Sequence, residues 1–362
     1  MIELIYLNKQ KLFDFINSQQ YKELPVLPIS YHRAISHINN PRAQDNDVLL
    51  ILAYEQNNLL GYLGILPDNI YTSSGEVFHL GWLSCIWVSP LARGKGIAKK
   101  MVLAAYQAYD KHIIITNFTK EAGMLYRKLG IFDNLPDLYG IRYYKTMCLS
   151  KVLPKRFPKT ANITYLLKII DFSFNIIWKI FLKKSNFDFN EKAEIPNNEI
   201  IKNSYIHSFK IGFKRQEQEF SWIVNFPWII QVEKPSENSK KYHFSSEEKK
   251  FISKIIKIDN NSSNSGYLLY VLRNGHLRVP YVITNTTQAI EAAKKIEEIA
   301  NSKNVDYITL FLPTEITKNI KIKTIFRKKI KRQFLITLTL KEKIKNADDL
   351  IIFDGDGDAV FT

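Results

Sequence analysis

Cysteine is scarce: the 362 residues hold only Cys85 and Cys148. That excludes a disulfide framework and a tetra-cysteine zinc site. Glycine and proline are sparse, at 14 and 13, which excludes collagen-like and low-complexity architectures. The opening residues, MIELIYLNKQ, lack a basic stretch followed by an apolar run, so no secretory leader is expected and the reading is of a cytoplasmic protein. Acids are also short, with 35 Asp and Glu against 51 Lys and Arg and a net charge of +16. The excess is +3 over residues 1–150, +6 over 151–190 and +7 over 191–362, so it is densest in a short middle segment. A basic surface attracts nucleic acid, anionic lipid or a polyanionic ligand. In the last third, a general richness in Lys, Asn and Ile accounts for it. Apolar residues are abundant: 46% hydrophobic and 13% aromatic. That supplies packed cores and excludes a mainly disordered chain, and the length suggests two domains.

Residues 2–7 read as a strand and 11–21 as a short helix. Strands at 47–56 and 59–66 form a hairpin about Asn57-Asn58, and VFHLGWLSCIWV makes a long strand at 77–88. Apolar residues at 97, 98, 101, 102, 105 and 106 predict a helix from 97 to about 108. HIIIT at 112–116 is a buried strand, 120–129 a helix stopped by Gly130, and short strands finish the unit near 150. Antiparallel strands followed by strand–helix–strand–helix–strand make an α+β fold with a mixed sheet.

Residues 151–195 read as a basic linker carrying an apolar helix. At 151–162 two prolines and four basic residues have a linker's composition. At 163–184, Thr164, Lys168, Asp171, Asn175, Lys179 and Lys183 form one narrow polar stripe on an otherwise apolar helix. Those residues argue against a transmembrane span. The expectation is a helix packed between two domains. A helix lying at the inner face of the membrane stays open, and its apolar breadth leaves room for a homodimer. Residues 196–362 read as a second α/β domain, with a hairpin at Asn274-Gly275, a helix near 286–302 and strands at 306–312 and 333–340.

The chemistry concentrates in Trp87-Val-Ser-Pro-Leu-Ala-Arg-Gly-Lys-Gly-Ile-Ala98. A strand ends, and a loop with Arg93, Gly94, Lys95 and Gly96 leads straight into a helix. Glycines let backbone N–H groups approach a ligand, and the helix start adds unpaired N–H groups and the positive end of its dipole. The result is a cradle for a pyrophosphate. The spacing is not that of a P-loop.

This stretch resembles the GNAT acetyltransferase superfamily. Arg93-Gly94-Lys95-Gly96-Ile97-Ala98 fits its Arg/Gln-x-x-Gly-x-Gly/Ala signature. Ala122-Gly-Met-Leu-Tyr126-Arg-Lys-Leu-Gly130-Ile-Phe132 resembles its second segment, with Thr119 in place of the usual Asn and Asn117 close by. The resemblance covers residues 1–150 and implies a GNAT-like acyl-CoA N-acyltransferase domain. The rest would be a second α/β domain, a degenerate tandem copy without a CoA site. It implies acetyl-CoA as co-substrate and transfer to a small-molecule, sugar or peptide amine by direct attack in a ternary complex, with the acceptor cleft between the two domains. The backbones of Ile86 and Val88 would pair with pantetheine, the amides from Gly94 to Ala98 would hold pyrophosphate, and Arg93, Lys95 and Asn117 would assist. Tyr126 would protonate the leaving thiolate.

Many relatives place a Glu on the long strand, but 80–86 contains no acid here. His79 and Glu76 are the upstream candidates for the base, and an ordered water could serve instead. No metal site and no DNA partner are expected. Asp354-Gly-Asp-Gly-Asp358 looks like the start of a calcium loop but lacks its closing Glu. It reads instead as tight turns before a final strand, with one Asp able to face the site. Two rivals stand beside this reading: a tRNA-dependent peptidyl-type transferase, and a non-catalytic binding module at a membrane or partner surface.

Overall fold

The computed structural model describes residues 1–181, 193–259 and 266–361. In chain order its strands are β1 (Ile2–Leu7), β2 (Leu50–Glu55), β3 (Asn58–Tyr71), β4 (Val77–Val88), β5 (Ile113–Thr116), β6 (Phe132–Tyr144), β7 (Ile230–Gln231), β8 (Glu247–Glu248), β9 (Phe251–Lys257), β10 (Tyr267–Arg273), β11 (His276–Ile283), β12 (Tyr307–Leu310) and β13 (Phe326–Thr337). They fall into two compact units that are not consecutive in sequence. Unit one is Met1–Leu138, Ile195–Phe251 and Lys331–Thr362; unit two is Tyr139–Glu194 and Ile252–Ile330. A division at 150 and 195 therefore does not describe the chain. The reason is strand pairing: Phe334, Leu335 and Ile336 return from the far end of the sequence to pair antiparallel with Thr116, Ile115 and Ile114.

In unit one β1, β2, β3 and β4 pair antiparallel in sequence order, and β4 then pairs parallel with β5. The crossover between β4 and β5 is the helix Ile97–Ala108, as parallel pairing requires. Its Ile97, Met101, Val102 and Ala105 bury against Ile51, Leu63, Ile65, Leu83, Ile113 and Ile115. The other face of the sheet is covered by Leu12, Phe15, Ile16 and Ala34 from the helices Lys9–Asn17 and Tyr31–Ile38, which pack on Leu50, Leu52, Tyr54 and Tyr62. With both faces covered, β2 and β5 carry uninterrupted apolar runs rather than alternation.

Unit two repeats this order. β10 and β11 form an antiparallel hairpin with Asn274 and Gly275 both at positive φ. β11 runs parallel to β12 through the helix Ala289–Ser302, and β12 pairs antiparallel with residues 141–144 of β6. In each unit the crossover strand carries one extra residue just past its last parallel pair, opposite Leu63 in β4 and opposite Tyr270 in β11.

Several local expectations change. Ser18 caps a second short helix, Gln19–Glu23, so 11–21 is not one helix. The β2–β3 turn is Gln56-Asn57, with Gln56 rather than an Asn at positive φ. One long strand, β6, replaces short ones before 150. The segment read as a linker holds a helix, Leu149–Arg156, whose first amides, Leu149 and Ser150, are capped by the Asp171 carboxylate at 2.8 and 2.9 Å. A short helix, Asn198–Lys202, lies just past the expected start of the second domain at 196. Residues 338–340 belong to the helix Leu338–Lys343, and the chain ends in a 3-10 turn, Gly357–Phe361, not a strand. The apolar helix runs over Thr164–Phe181, and residues 182–184 lie outside the described residues. It is not buried around its circumference: Leu167 and Asp171 are buried while Tyr165, Phe172 and Ile180 are exposed.

Candidate active site

β4 pairs with β5 only through Gly81, Leu83 and the residue between them, Trp82. From Ser84 to Val88 its edge toward β5 carries no ladder, and Cys85 through Val88 are half-buried. The extra residue of β4 falls at Cys85-Ile86, and Cys85 adopts φ 55°. Bulges turn a strand away from its partner, and a non-glycine residue in this region stores about 1–3 kcal/mol of backbone strain. The side chains of Ile86 and Val88 pack toward the crossover helix, so what the open edge offers is backbone.

The loop continues from this edge. Gly96 is the N-cap of the crossover helix at φ 75°, and no side chain caps that helix. Gly94 lies at φ 85°. A Cβ on Gly94 or Gly96 would meet nothing within 4 Å, so both face open space beside the uncapped amides. Arg93, Lys95, Lys99 and Lys100 are exposed around the same helix start, with Lys95 held 3.3 Å from Glu55. Ile97 is buried under the turn and Ala98 is half-buried. This donor set fits a pyrophosphate: amides at a helix start, glycines where a side chain would intrude, and four surrounding cations.

Asn117 follows β5 at φ 52° and is exposed. Thr119, in the place of the expected Asn, caps the helix Lys120–Leu129 by accepting from the Ala122 amide. That helix presents Tyr126, buried between Phe118 and Phe132 at ring distances of 5.9 and 5.7 Å. Burial pushes the Tyr126 hydroxyl's pKa up, and the charge of Asp358 adds to the rise.

His79 does not join this group. Its rings of contacts are Asn69 at 2.8 Å on Nδ1, Asp47 at 3.0 Å on Nε2, and Tyr109 stacked at 5.9 Å. It precedes Ile86 by seven residues, roughly 23 Å along a strand.

The sequence left open that one aspartate of the tail faces the site, without saying which; the acid that reaches β4 is Asp358. Ser84 Oγ donates to Asp358 Oδ2 at 2.5 Å. Burial lifts the Asp358 carboxyl above the ordinary carboxylate range, against the Ser84 hydrogen bond and the charges of Arg33 and Arg332. Arg33, itself buried, donates to Ser84 at 3.0 Å, to Tyr242 at 2.9 Å and to His37 at 3.2 Å, touches the Cys85 thiol, and stacks 3.9 Å over Trp228. On the same strand Trp87 stacks between Tyr62 at 5.3 Å and His243 at 4.7 Å.

The tail that delivers Asp358 is held by paired charges. Asp68 accepts from Arg215 through both oxygens at 2.9 and 2.7 Å and from Arg42 at 2.7 Å, and Arg215 reaches Asp356 at 3.1 Å. Arg332 binds Asp354. Each aspartate of the Asp-Gly-Asp-Gly-Asp run thus faces a protein donor, and among the described residues no group of three metal-ligating side chains forms. Gly357 is at φ 68° with its Cβ position 2.8 Å from the Trp82 ring, so only glycine lets the tail lie on Trp82 and aim Asp358 at Ser84. The signal in the sequence was the repeated Asp-Gly pattern, but its target lies 274 residues away.

Comparison with known proteins agrees with the geometry. Residues 46–130 match the family described as an acetyltransferase (GNAT) domain. No curated protein matches the chain in sequence. Among solved structures it resembles a conserved Enterococcus faecalis protein of unknown function described as a probable N-acyltransferase. The two are 11% identical, the match covers 94% of this chain and 74% of the other, and the TM-score is 0.50. A GCN5-related N-acetyltransferase from Kribbella flavida is 9% identical over 92% of this chain and 71% of its own, at a TM-score of 0.46. Saccharomyces cerevisiae N-myristoyltransferase with bound myristoyl-CoA is 10% identical over 93% and 82%, at 0.48. At 11% identity the likeness to the Enterococcus faecalis protein is one of fold. The opened β4, the glycine turn and the helix bearing Tyr126 lie within residues 46–130, the segment that matches the acetyltransferase (GNAT) domain.

Proposed function

We propose that unit one takes acetyl-CoA and passes its acetyl group to an amine by direct attack in a ternary complex. The observation that carries this reading is the continuity of the opened β4 edge with the uncapped, glycine-turned start of the helix Ile97–Ala108. Backbone groups of Ile86 and Val88 would pair with the pantetheine arm, and the amides from Gly94 to Ala98, flanked by Arg93 and Lys95, would hold the pyrophosphate. Asn117 would lie beside the arm. Bound there, acetyl-CoA would supply an activated thioester.

The chain's own part is proton management. An amine attacks only when neutral, so its ammonium proton must leave. Asp358, raised in pKa and half-buried beside Ser84, is the base this reading assigns in place of His79. Tyr126 keeps its proton because its pKa is raised, and gives it to the departing sulfur as the C–S bond breaks. The ammonium's first proton passes to solvent before attack; as the nitrogen–acyl carbon bond forms and the C–S bond breaks, the nitrogen gives its second proton to Asp358 and Tyr126 gives its own to the sulfur, and Asp358 returns a proton to Tyr126 through solvent. The stack of Trp87 on His243 offers a planar apolar shelf on the acceptor side of β4.

In unit two the matching strand end, Tyr281 to Ile283, is buried, and Gln288 rather than a glycine is the N-cap of the helix Ala289–Ser302. Thr284 and Thr287 bond to Gln288 and Asn285 of the same turn. One CoA per chain is therefore proposed. The test is calorimetric titration of acetyl-CoA into the protein and a Gly96→Glu variant. One equivalent bound by the parent and none by the variant supports the reading, and no binding by the parent overturns it.

A further inference from the structure

The helix Thr164–Phe181 is inside out. The groups that anchor it are the polar ones: Asp171 caps Leu149 and Ser150, Asn175 exchanges two 2.8 Å hydrogen bonds with Met147, and Trp178 donates to the Lys145 carbonyl at 3.0 Å. The apolar side chains face away, with Tyr165 and Ile180 each 79% exposed and Phe172 68% exposed. Ile169, Ile176 and Ile177 extend the same surface. Together they cover about 140° of the helix circumference, given about 100° per residue. Soluble proteins rarely leave so large a contiguous apolar face in water.

Charge identifies what covers it. Residues 151–181 contain six Lys and Arg and one acid. That acid, Asp171, is buried and spent on the helix cap. Lys151 pairs with Asp306, while Arg156 at the end of the helix Leu149–Arg156, Lys159 in the turn after it and Lys168 on this helix are exposed. A second copy of this chain would set like charges against like. An anionic surface with an apolar interior satisfies both features at once.

We propose that the helix Thr164–Phe181 lies in the plane of an anionic lipid bilayer, its apolar face among the acyl chains and its lysines and arginines at the phosphates. Its 18 residues span about 27 Å when laid flat, and no helix among the described residues is long and apolar enough to cross a membrane. Aromatic residues and a basic border are what interfacial helices use. The objection that Asp171 and Asn175 would enter hydrocarbon falls away, because both turn toward the protein.

The test is flotation of the full chain with vesicles of phosphatidylcholine, with and without phosphatidylglycerol. The expected result is binding to the anionic vesicles that weakens with added salt. A Phe172→Ser, Ile176→Ser, Ile180→Ser variant should bind at least tenfold less while melting and taking up acetyl-CoA like the parent. An Arg156→Gln, Lys159→Gln, Lys168→Gln variant should lose the preference for phosphatidylglycerol. Absence of vesicle binding by the parent overturns the proposal. So does sedimentation showing a dimer that the triple-serine variant makes monomeric, since a second copy would then cover the face.

Discussion

Ser84 and Asp358 share a 2.5 Å hydrogen bond across 274 residues of sequence. The bond places a carboxylate of raised pKa on the strand where residues 80–86 hold no acid of their own.

Replacing that carboxylate should separate binding from turnover. Asp358→Asn is expected to lower kcat by about 10²–10⁴, the usual worth of a positioned base, while acetyl-CoA binds with unchanged affinity. Calorimetry and steady-state rates with an amine acceptor check this. Retained turnover would remove Asp358 from the mechanism.

The same substitution should have a pH-dependent effect on stability. Because burial raises its pKa, the fold holds the Asp358 proton more tightly than the unfolded chain does. This group's contribution to stability therefore falls as pH rises from the ordinary carboxylate range through the raised value. Asp358→Asn removes that loss, so its melting temperature should gain on the parent's as pH is raised. Parallel melting curves at all pH values would contradict the assignment.

Asp68 behaves in the opposite sense. Burial alone would raise its pKa, but Arg215 and Arg42 outweigh burial and hold it below its ordinary value. Its contribution is present above the unfolded pKa and lost as pH falls through the lowered one. Asp68→Ala leaves two buried guanidinium groups short of a partner and should cost about 3–5 kcal/mol in urea unfolding at neutral pH.

Tyr126→Phe removes only a hydroxyl. If that hydroxyl protonates the sulfur, kcat should fall by about 10²-fold or more with CoA affinity unchanged, and an acyl donor with a better leaving thiol should recover part of the loss. Equal rates with both residues would make Tyr126 a packing residue alone.

Gly96→Ala tests the turn without charge. A residue other than glycine at φ 75° costs about 1–2 kcal/mol, and because its Cβ would point into open space the penalty should appear in stability. Weaker CoA binding should accompany it, as the methyl enters the phosphate cradle.

Much of this was legible in the sequence because local signals wrote it. The bounds of β4, the helix Ile97–Ala108 and the helix Lys120–Leu129 follow from apolar periodicity, glycine stops and caps, and these carry Gly94, Gly96 and Tyr126. That one aspartate of the tail could face the site was legible, but not that it is Asp358 or that its partner is Ser84, since that is a matter of long-range packing through Arg215 and Trp82. His79 drew attention by residue type and strand, but distance along the strand sets it apart. For the helix Thr164–Phe181 the period was readable and the direction was not: a stripe of Asp171 and Asn175 looks solvated until its hydrogen bonds to Met147, Leu149 and Ser150 are seen.

The return of β13 to β5 orders events during synthesis. Ser84 leaves the ribosome roughly 14 to 55 seconds before Asp358 does, at about 5–20 residues per second. Until then β5 has one open edge and β4 lacks its acid. With Asp358 as the proposed base, nascent or prematurely terminated chains would hold the proposed phosphate cradle with no base to use it, and acyl transfer would begin only after synthesis has passed Asp358.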